Sequence, residues 1–149
     1  MKMLLKKILE EHEGVRSVPY DDATGKPVKG IGKVTVGIGR NLEANPLNYA
    51  EIQFLLENDV DEVIRLLNVF LPWWRRLDEI RQVVIADMCF NLGITGLMAF
   101  KRTLKSVEDG RFEDAAREML ESLWARQVKR RAIRLANMMR DGTWYVKDW

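Results

Sequence analysis

The amino-acid sequence predicts an α+β fold in which helices predominate and a small sheet lies near the N-terminus. The first observation is a segment from Val15 to Gly39 that holds five glycines interspersed with β-branched residues. The second is an apolar period near 3.6 residues that runs from Asn48 to Pro72 and indicates one long helix. The third is a succession of shorter helical patterns beyond Pro72. We therefore expect two lobes, with a small N-terminal antiparallel sheet, a long connecting helix and a helical C-terminal lobe.

The N-terminal part should form one helix followed by the sheet. Apolar residues recur at helical spacing ahead of Gly14, a residue type common just past helix ends, which predicts a helix from about Met3 to His12. Beyond it, β-branched residues between glycines and prolines predict a twisted antiparallel sheet. The favoured turn is the segment 21–25, because it combines aspartates with a glycine.

The rest of the chain should be helical. The long helix is predicted over about 48–71, where Pro72 ends it. Later helical patterns cover residues 77–92, a short segment after Gly93, then 103–107, 111–120 and a pair between 122 and 140. We expect a single domain over residues 1–149. It should have a mixed sub-lobe at about 13–47, the connecting helix, and a helical lobe at 72–149 on which residues 1–12 pack.

The composition is that of a folded domain. The chain has 149 residues, of which 47% are hydrophobic and 31% charged, and this balance argues against intrinsic disorder. The single cysteine, Cys89, cannot form an internal disulfide and lies in an apolar run, so we interpret it as a core residue. The net charge is only +2, but residues 126–140 carry six basic and no acidic side chains. Nucleic acid and the bacterial cell wall both fit such a positive face, and a solvated helix face without a partner is the alternative.

Targeting signals are not evident in the sequence. No stretch approaches the ~18 apolar residues that span a bilayer. At the N-terminus, Lys6 and Lys7 interrupt the apolar residues before a signal-peptide core of ~7 can form. We therefore expect no signal peptide, synthesis in the cytoplasm and no stable membrane association.

Glu13, Asp22 and Thr35 come from three different local structures and can together line a cleft. Glu13 ends the first helix, whereas the other two fall in the sheet region. Cleavage of a glycosidic bond requires two carboxylates in unlike surroundings, because one donates a proton while the other stays charged. Asp21 is an alternative to Asp22, and the two cannot both face the cleft if the segment is extended. This pattern favours a sugar hydrolase.

The order of these motifs resembles that of the phage-type lysozymes, the endolysin family. The sequence carries Glu13-Gly14-Val15-Arg16, then Tyr20-Asp21-Asp22, then Thr35-Val36-Gly37-Ile38-Gly39. These look like the family's Glu-Gly, Tyr-x-Asp and Thr-Ile-Gly-x-Gly elements, and the likeness continues without a gap from Pro72 to Trp144. The resemblance implies a lysozyme-like fold and hydrolysis of the β-1,4 bond between N-acetylmuramic acid and N-acetylglucosamine in peptidoglycan. It also implies inversion at the anomeric carbon and a role in host cell lysis.

The resemblance assigns roles to individual residues of this chain. Glu13 would be the general acid, Asp22 would activate the attacking water and Thr35 would help to position that water. Arg131 would form an ion pair with Glu13. Substrate-contacting positions of the family correspond to Phe90, Asn91, Thr103, Asn41 and Glu118.

The chain also departs from the family pattern. Arg40 replaces a histidine that faces an aspartate, and Asp59 matches the aspartate, so we predict an Arg40–Asp59 pair. The hairpin between Ala23 and Val34 is longer than in the family; it could extend the cleft rim or be a surface insertion.

No metal or cofactor is expected. The only histidine, His12, has no second histidine or cysteine cluster beside it, so we interpret it as a solvated residue at a helix end. We expect a monomer that acts on peptidoglycan glycan strands and reaches them after the membrane is permeabilised. Lytic transglycosylation of the same substrate is an alternative that a water-positioning base disfavours. A nucleic-acid-binding protein is another, but it leaves Glu13, Asp22 and Thr35 unexplained.

Overall fold

The computed structural model describes residues 1–21, 23–28 and 34–147. Helix α1 spans Lys2–Glu13 and ends at Gly14, which adopts a φ of 75°. Its apolar side buries Leu5, Ile8 and Leu9, and it packs against the two longest helices of the molecule. The helix predicted over residues 3–12 is confirmed, with one more residue at each end.

The sheet is smaller than the sequence suggests in the part of this segment that is described. Strand β1, Thr35–Val36, pairs antiparallel with β2, Arg40–Asn41. Gly37 and Gly39, both at positive φ, form the connection between them. An isolated bridge joins Tyr20 to Pro27. Residues 15–18 form no strand.

The predicted turn at residues 21–25 is present in its described part. The Gly25 backbone N–H donates to the Asp21 carbonyl at 2.7 Å, and the Thr24 N–H donates to Asp21 Oδ1 at 2.8 Å. Residue 22 and five residues of the predicted long hairpin, residues 29–33, lie outside the described residues.

Helix α2, Tyr49–Phe70, is the predicted connecting helix. Asn48 caps it: the side chain accepts from the Glu51 N–H at 3.0 Å, and Glu51 Oε2 accepts from the Asn48 N–H at 2.9 Å. These reciprocal bonds satisfy two backbone donors that helix starts leave open. The helix ends before Pro72, which opens a 3₁₀ helix, Pro72–Arg76.

Within residues 79–147, in the described part of the C-terminal lobe, five further α-helices follow. Helix α3, Glu79–Met98, is interrupted at Gly93, whose φ of 71° and ψ of 163° break the helical backbone as the sequence predicts. The others are α4, Lys101–Glu108; α5, Phe112–Glu121; α6, Leu123–Val128; and α7, Arg130–Asp141. One continuous hydrophobic core joins these helices to α1 and α2. The fold is therefore predominantly helical α+β, as predicted.

Helix α3 bears on the expectation that no stretch of the chain is apolar enough to span a bilayer. Its 20 residues are long and apolar enough to cross a membrane, judged by length and composition only. Its residues from Val83 to Cys89 are buried in the core, however, so packing inside the protein accounts for its apolar character. Cys89 is 2% exposed, which confirms its interpretation as a core residue.

Candidate active site

Glu13 lies at the mouth of a groove between α1, α2 and α3. It is the last residue of α1, and Gly14 lets the chain turn away immediately after it. The Glu13 side chain remains 38% exposed. The groove encloses about 310 Å³. The residues that line it are Leu9, Glu10, Glu13, Gly14, Val15, Arg16, Tyr20, Leu47, Ile52, Gln53, Leu55, Leu56, Asp59 and Phe90.

The groove brings together some of the predicted site residues. Phe90, half-buried on α3, lines it with Glu13, so an aromatic ring and a carboxyl group face one space. Apolar surface with a few polar groups is typical of ligand sites. Thr35 is exposed on β1, at the position paired with Asn41 in the sheet. Asp22 lies outside the described residues.

Arg131 contacts Glu13, as the resemblance implies. Its Nη1 donates to Glu13 Oε1 at 2.6 Å, although the two residues are 118 positions apart. The same guanidinium donates through Nε to Asp87 Oδ1 at 3.0 Å. Burial acts to lower the pKa of Arg131, but the negative charges of Asp87 and Glu13 outweigh it and hold the pKa above its ordinary value. A permanent cation therefore faces the candidate acid.

The region behind this ion pair corrects the interpretation of His12. Its side chain is 0% exposed, and Nδ1 lies 3.0 Å from Asp87 Oδ2. Its Nε2 lies 3.2 Å from Arg134 Nη1. His12 is buried because the end of α1 packs where α3 and α7 present charged partners to it. The basic run is also less exposed than its sequence suggests, since Arg131 and Arg134 are both buried.

Sequence reasoning missed Asp87 as part of this region. A signal was present, because Asp87 is the one charged residue in the apolar run from Val83 to Phe90. A charge at such a position is seldom buried unless it is paired. Neither partner could be identified locally, since Arg131 and His12 belong to other helices.

The remaining predicted contact residues are engaged within the protein. Asn91 Oδ1 accepts from Trp124 Nε1 at 2.9 Å. Asn41 Oδ1 accepts from the backbone N–H groups of Glu43 and Ala44, which stabilises the turn after β2. Their amide oxygens are thus already in use.

Two other predicted substrate contacts, Thr103 and Glu118, lie on the helical lobe. Thr103 is only 4% exposed, so little of its side chain is accessible to a ligand in this structure. Glu118 accepts from Ser106 Oγ at 3.1 Å and lies 3.5 Å from Arg102. These contacts join α4 and α5.

The predicted Arg40–Asp59 pair is wrong. Arg40 pairs instead with Glu51, and it also donates to the carbonyls of Asn45 and Pro46 at 3.1 and 2.6 Å. Glu51 is in the first turn of α2, next to the loop that holds Arg40, whereas Asp59 is about 12 Å further along the helix axis. Asp59 lines the groove. The hydrogen bond from Arg40 and that from the Asn48 N–H hold the pKa of Glu51 below its ordinary value.

Comparison with known proteins adds independent information. The family model described as phage lysozyme matches residues 10–138. The chain is 26% identical to Probable T4-type lysozyme 1 of Dictyostelium discoideum, over 93% of this chain and 95% of that protein. It is 27% identical to Probable T4-type lysozyme 2 of the same organism, with the same coverage of 93% and 95%. It is also 27% identical to the pre-baseplate central spike protein Gp5 of Enterobacteria phage T4, over 94% of this chain but only 28% of that protein. The span matched by the family model contains both members of the Glu13–Arg131 pair.

Proposed function

Because this chain belongs to the phage lysozyme family and is a glycoside hydrolase of peptidoglycan, we propose that it cleaves the β-1,4 bond between N-acetylmuramic acid and N-acetylglucosamine. The proposed mechanism is inverting acid/base hydrolysis, and the proposed role is host cell lysis. Glu13 at the mouth of the groove, paired with Arg131, is the observation that carries the proposal.

Glu13 has the surroundings that a general acid needs. The groove beside it presents mostly apolar side chains, so a bound glycan would displace water from the carboxyl group and favour its protonated form. The Phe90 ring lines the same groove and offers a flat apolar surface to a sugar ring. A Glu13 proton would pass to the glycosidic oxygen as the bond to the anomeric carbon breaks.

Arg131 is placed to stabilise Glu13 after it has donated its proton. Once Glu13 has given up its proton, it is a carboxylate, and the adjacent guanidinium stabilises that charge. The ion pair thus favours the deprotonated Glu13 that exists after proton transfer, whereas the bound sugar favours the protonated Glu13 that exists before it. Together, the ion pair and the bound sugar would bring the proton affinity of Glu13 closer to that of the glycosidic oxygen.

We assign the base to Asp22 and the positioning of water to Thr35. The alternative base, Asp21, already accepts from the Thr24 N–H, and hydrogen bonds from Thr24 hold the pKa of Asp21 below its ordinary value. A carboxylate committed to the turn is a weaker proton acceptor, which supports its neighbour. Inversion needs room for one water between the carboxyl groups, at a separation of roughly 6.5 to 9.5 Å. The Thr35 hydroxyl can accept a hydrogen bond and donate one, as a water-positioning group should.

Mass spectrometry of the muropeptides released from purified cell walls tests this proposal. Wild-type protein should release fragments with reducing N-acetylmuramic acid ends. Glu13→Gln and Asp22→Asn should each lose activity by roughly 10²-fold or more. The matched controls are Glu10→Gln, which alters another carboxyl group of the groove, and Asp21→Asn; both should keep most of the activity. Anhydro-muramic ends would demonstrate transglycosylation instead, and an active Glu13→Gln variant would eliminate Glu13 as the acid.

We further propose that the protein acts as a monomer on glycan strands, without a cofactor, metal or nucleic acid. It would be made in the host cytoplasm and reach the wall after the membrane is permeabilised. Activity that is unchanged by a chelator and by added DNA, and a monomeric mass in solution, are the expected results.

A further inference from the structure

A buried carboxylate lies directly behind the Glu13–Arg131 ion pair, and the acid/base scheme has no use for it. Asp87 is 0% exposed and belongs to a helix segment that is otherwise apolar. It accepts from Arg131 Nε through one oxygen and lies 3.0 Å from His12 Nδ1 through the other. Removing a carboxylate from water is costly unless charged or hydrogen-bonding partners compensate it, and both partners are present here.

The hydrogen bonds of His12 determine which of its nitrogens carries the proton. Arg134 has donors only, so its Nη1, 3.2 Å from His12 Nε2, must donate to that nitrogen. Nε2 is therefore unprotonated, and Nδ1 carries the proton that is donated to Asp87. One Asp87 oxygen thus faces His12 and the other accepts from Arg131, so the carboxylate lies next to the guanidinium.

Asp87 also determines where the Arg131 guanidinium lies. Two bonds from different helices, to Asp87 through Nε and to Glu13 through Nη1, fix both ends of the planar group. Its third nitrogen, Nη2, is buried and has no hydrogen-bond partner among the described residues. Without Asp87, the partially exposed Glu13 would be the one carboxylate among the described residues that pairs with Arg131.

Other charged groups surround this cluster, and one pair of them is mutually compensated. From α1, Glu11 lies 2.7 Å from Arg134 Nη2 of α7. From the C-terminal segment, Lys147 Nζ donates to the Glu11 carbonyl. Lys129 and Arg130, exposed at the start of α7, line a separate cavity with His12 and Arg131.

We infer that Asp87, oriented by His12, is a positioning residue. It holds Arg131 against Glu13 and neutralises part of the positive charge of Arg131. The inference rests on the proposed function, because it takes Glu13 to be the general acid. When Asp87 neutralises part of the Arg131 charge, Glu13 can keep the proton that it must donate. When Asp87 is neutral, Arg131 acts on Glu13 alone and favours its deprotonated form.

The pH dependence of kcat/KM for wild type and Asp87→Asn tests this inference. Asparagine keeps the shape and can still accept from Arg131, but it removes the charge. We expect the alkaline limb of the profile, where the general acid loses its proton, to move to lower pH by about one unit. A lower rate at every pH with an unmoved limb would mean that Asp87 is merely structural and would overturn the inference. The control is Asp109→Asn, which removes the same charge from an exposed pair with Lys105 and should not move the limb.

A second measurement keeps the inference testable if Asp87→Asn does not fold. His12 is the only histidine, so its ring nitrogens give one set of ¹⁵N signals in the intact wild-type protein. We expect a protonated Nδ1 and an unprotonated Nε2 at neutral pH. A proton on Nε2 would contradict the arrangement on which the inference depends.

Two variants distinguish failure of the proposed function from failure of the Asp87 inference. Activity in Glu13→Gln would contradict the proposed function whatever Asp87→Asn does. An inactive Glu13→Gln together with an unmoved limb in Asp87→Asn would contradict this inference alone.

Discussion

At the scale of single residues, the buried polar groups near the site are of two kinds. Arg131 and Asp87 are charged, and each is compensated by partners from other helices. Cys89, two positions after Asp87, is buried among apolar residues, and this burial raises the pKa of its thiol to about 11. The charged Arg131 and Asp87 can influence Glu13, which faces the groove, whereas the Cys89 thiol is unreactive.

Cys89 should therefore not react in the folded protein. With a pKa of about 11 and 2% exposure, little thiolate forms near neutral pH and reagents cannot reach it. An aromatic disulfide reagent should label it only after unfolding in denaturant. Stoichiometric labelling of the native protein within minutes would show that this part of α3 opens readily.

At the scale of elements, the first turn of α2 both caps the helix and joins it to the small sheet. Glu51 accepts from the Asn48 N–H and also pairs with Arg40, so one carboxylate ties the cap of α2 to the end of the small sheet. The loop between them is held as well, because Arg40 donates to carbonyls of Asn45 and Pro46. The cap thus helps to fix the sheet relative to the helix that forms one wall of the groove.

Replacing the cap residue tests this role. Asn48→Ala should lower the free energy of unfolding by about 1 kcal/mol, because the Glu51 N–H loses its side-chain acceptor. Urea denaturation followed by circular dichroism measures the change. Asn48→Ser, which retains a capping oxygen, should recover most of the loss; equal losses in both variants would mean that the cap is not the cause.

The elements also show which features a sequence can predict. Asn48 and Pro72 bound α2 through local chemistry, capping at one end and a missing N–H at the other, so the sequence predicts it within one residue. The partner of Arg40 could not be predicted in this way. Glu51 and Asp59 lie on the same helix, and only the path of the preceding loop decides which one Arg40 reaches.

Within the site, too, some features could be predicted from the sequence and others depend on how the helices pack. The identity of Glu13 and its Arg131 partner were expected from a family resemblance that spans nearly the whole chain. The burial of His12 was not, because it follows from the packing of α1 against α3 and α7. The low exposure of Thr103, at 4%, could not be predicted either, because burial depends on the packing of whole helices.

At the scale of the whole molecule, many surface carboxylates are held in ion pairs. Glu57 pairs with Lys2 and Lys6 between α1 and α2, and Asp114 pairs with Arg111 and Arg117. The pKa values of both carboxyl groups lie below their ordinary values, chiefly because of hydrogen bonds from these cations. Each exposed pair contributes little, but together they favour stability at neutral over acidic pH.

Asp141 provides a specific test of this acid sensitivity. Hydrogen bonds from Arg140 and then Tyr145 lower the pKa of Asp141 to about 2. A carboxyl group whose folded-state pKa is lowered contributes stability above its unfolded pKa of ~3.9, and that contribution is lost as pH falls towards 2. The melting temperature should thus fall over this interval, and less steeply in Asp141→Asn. Identical pH dependence in the two proteins would contradict this assignment.

In the proposed mechanism, water attacks the anomeric carbon from the face opposite the leaving group, which inverts its configuration. Proton NMR of the reducing-end N-acetylmuramic acid, recorded early in the digestion of a β-linked glycan and before mutarotation, reads that configuration. Inversion with Glu13 as acid predicts the α-anomer as the first product. A β-anomer formed first would require a retaining mechanism and would contradict the account.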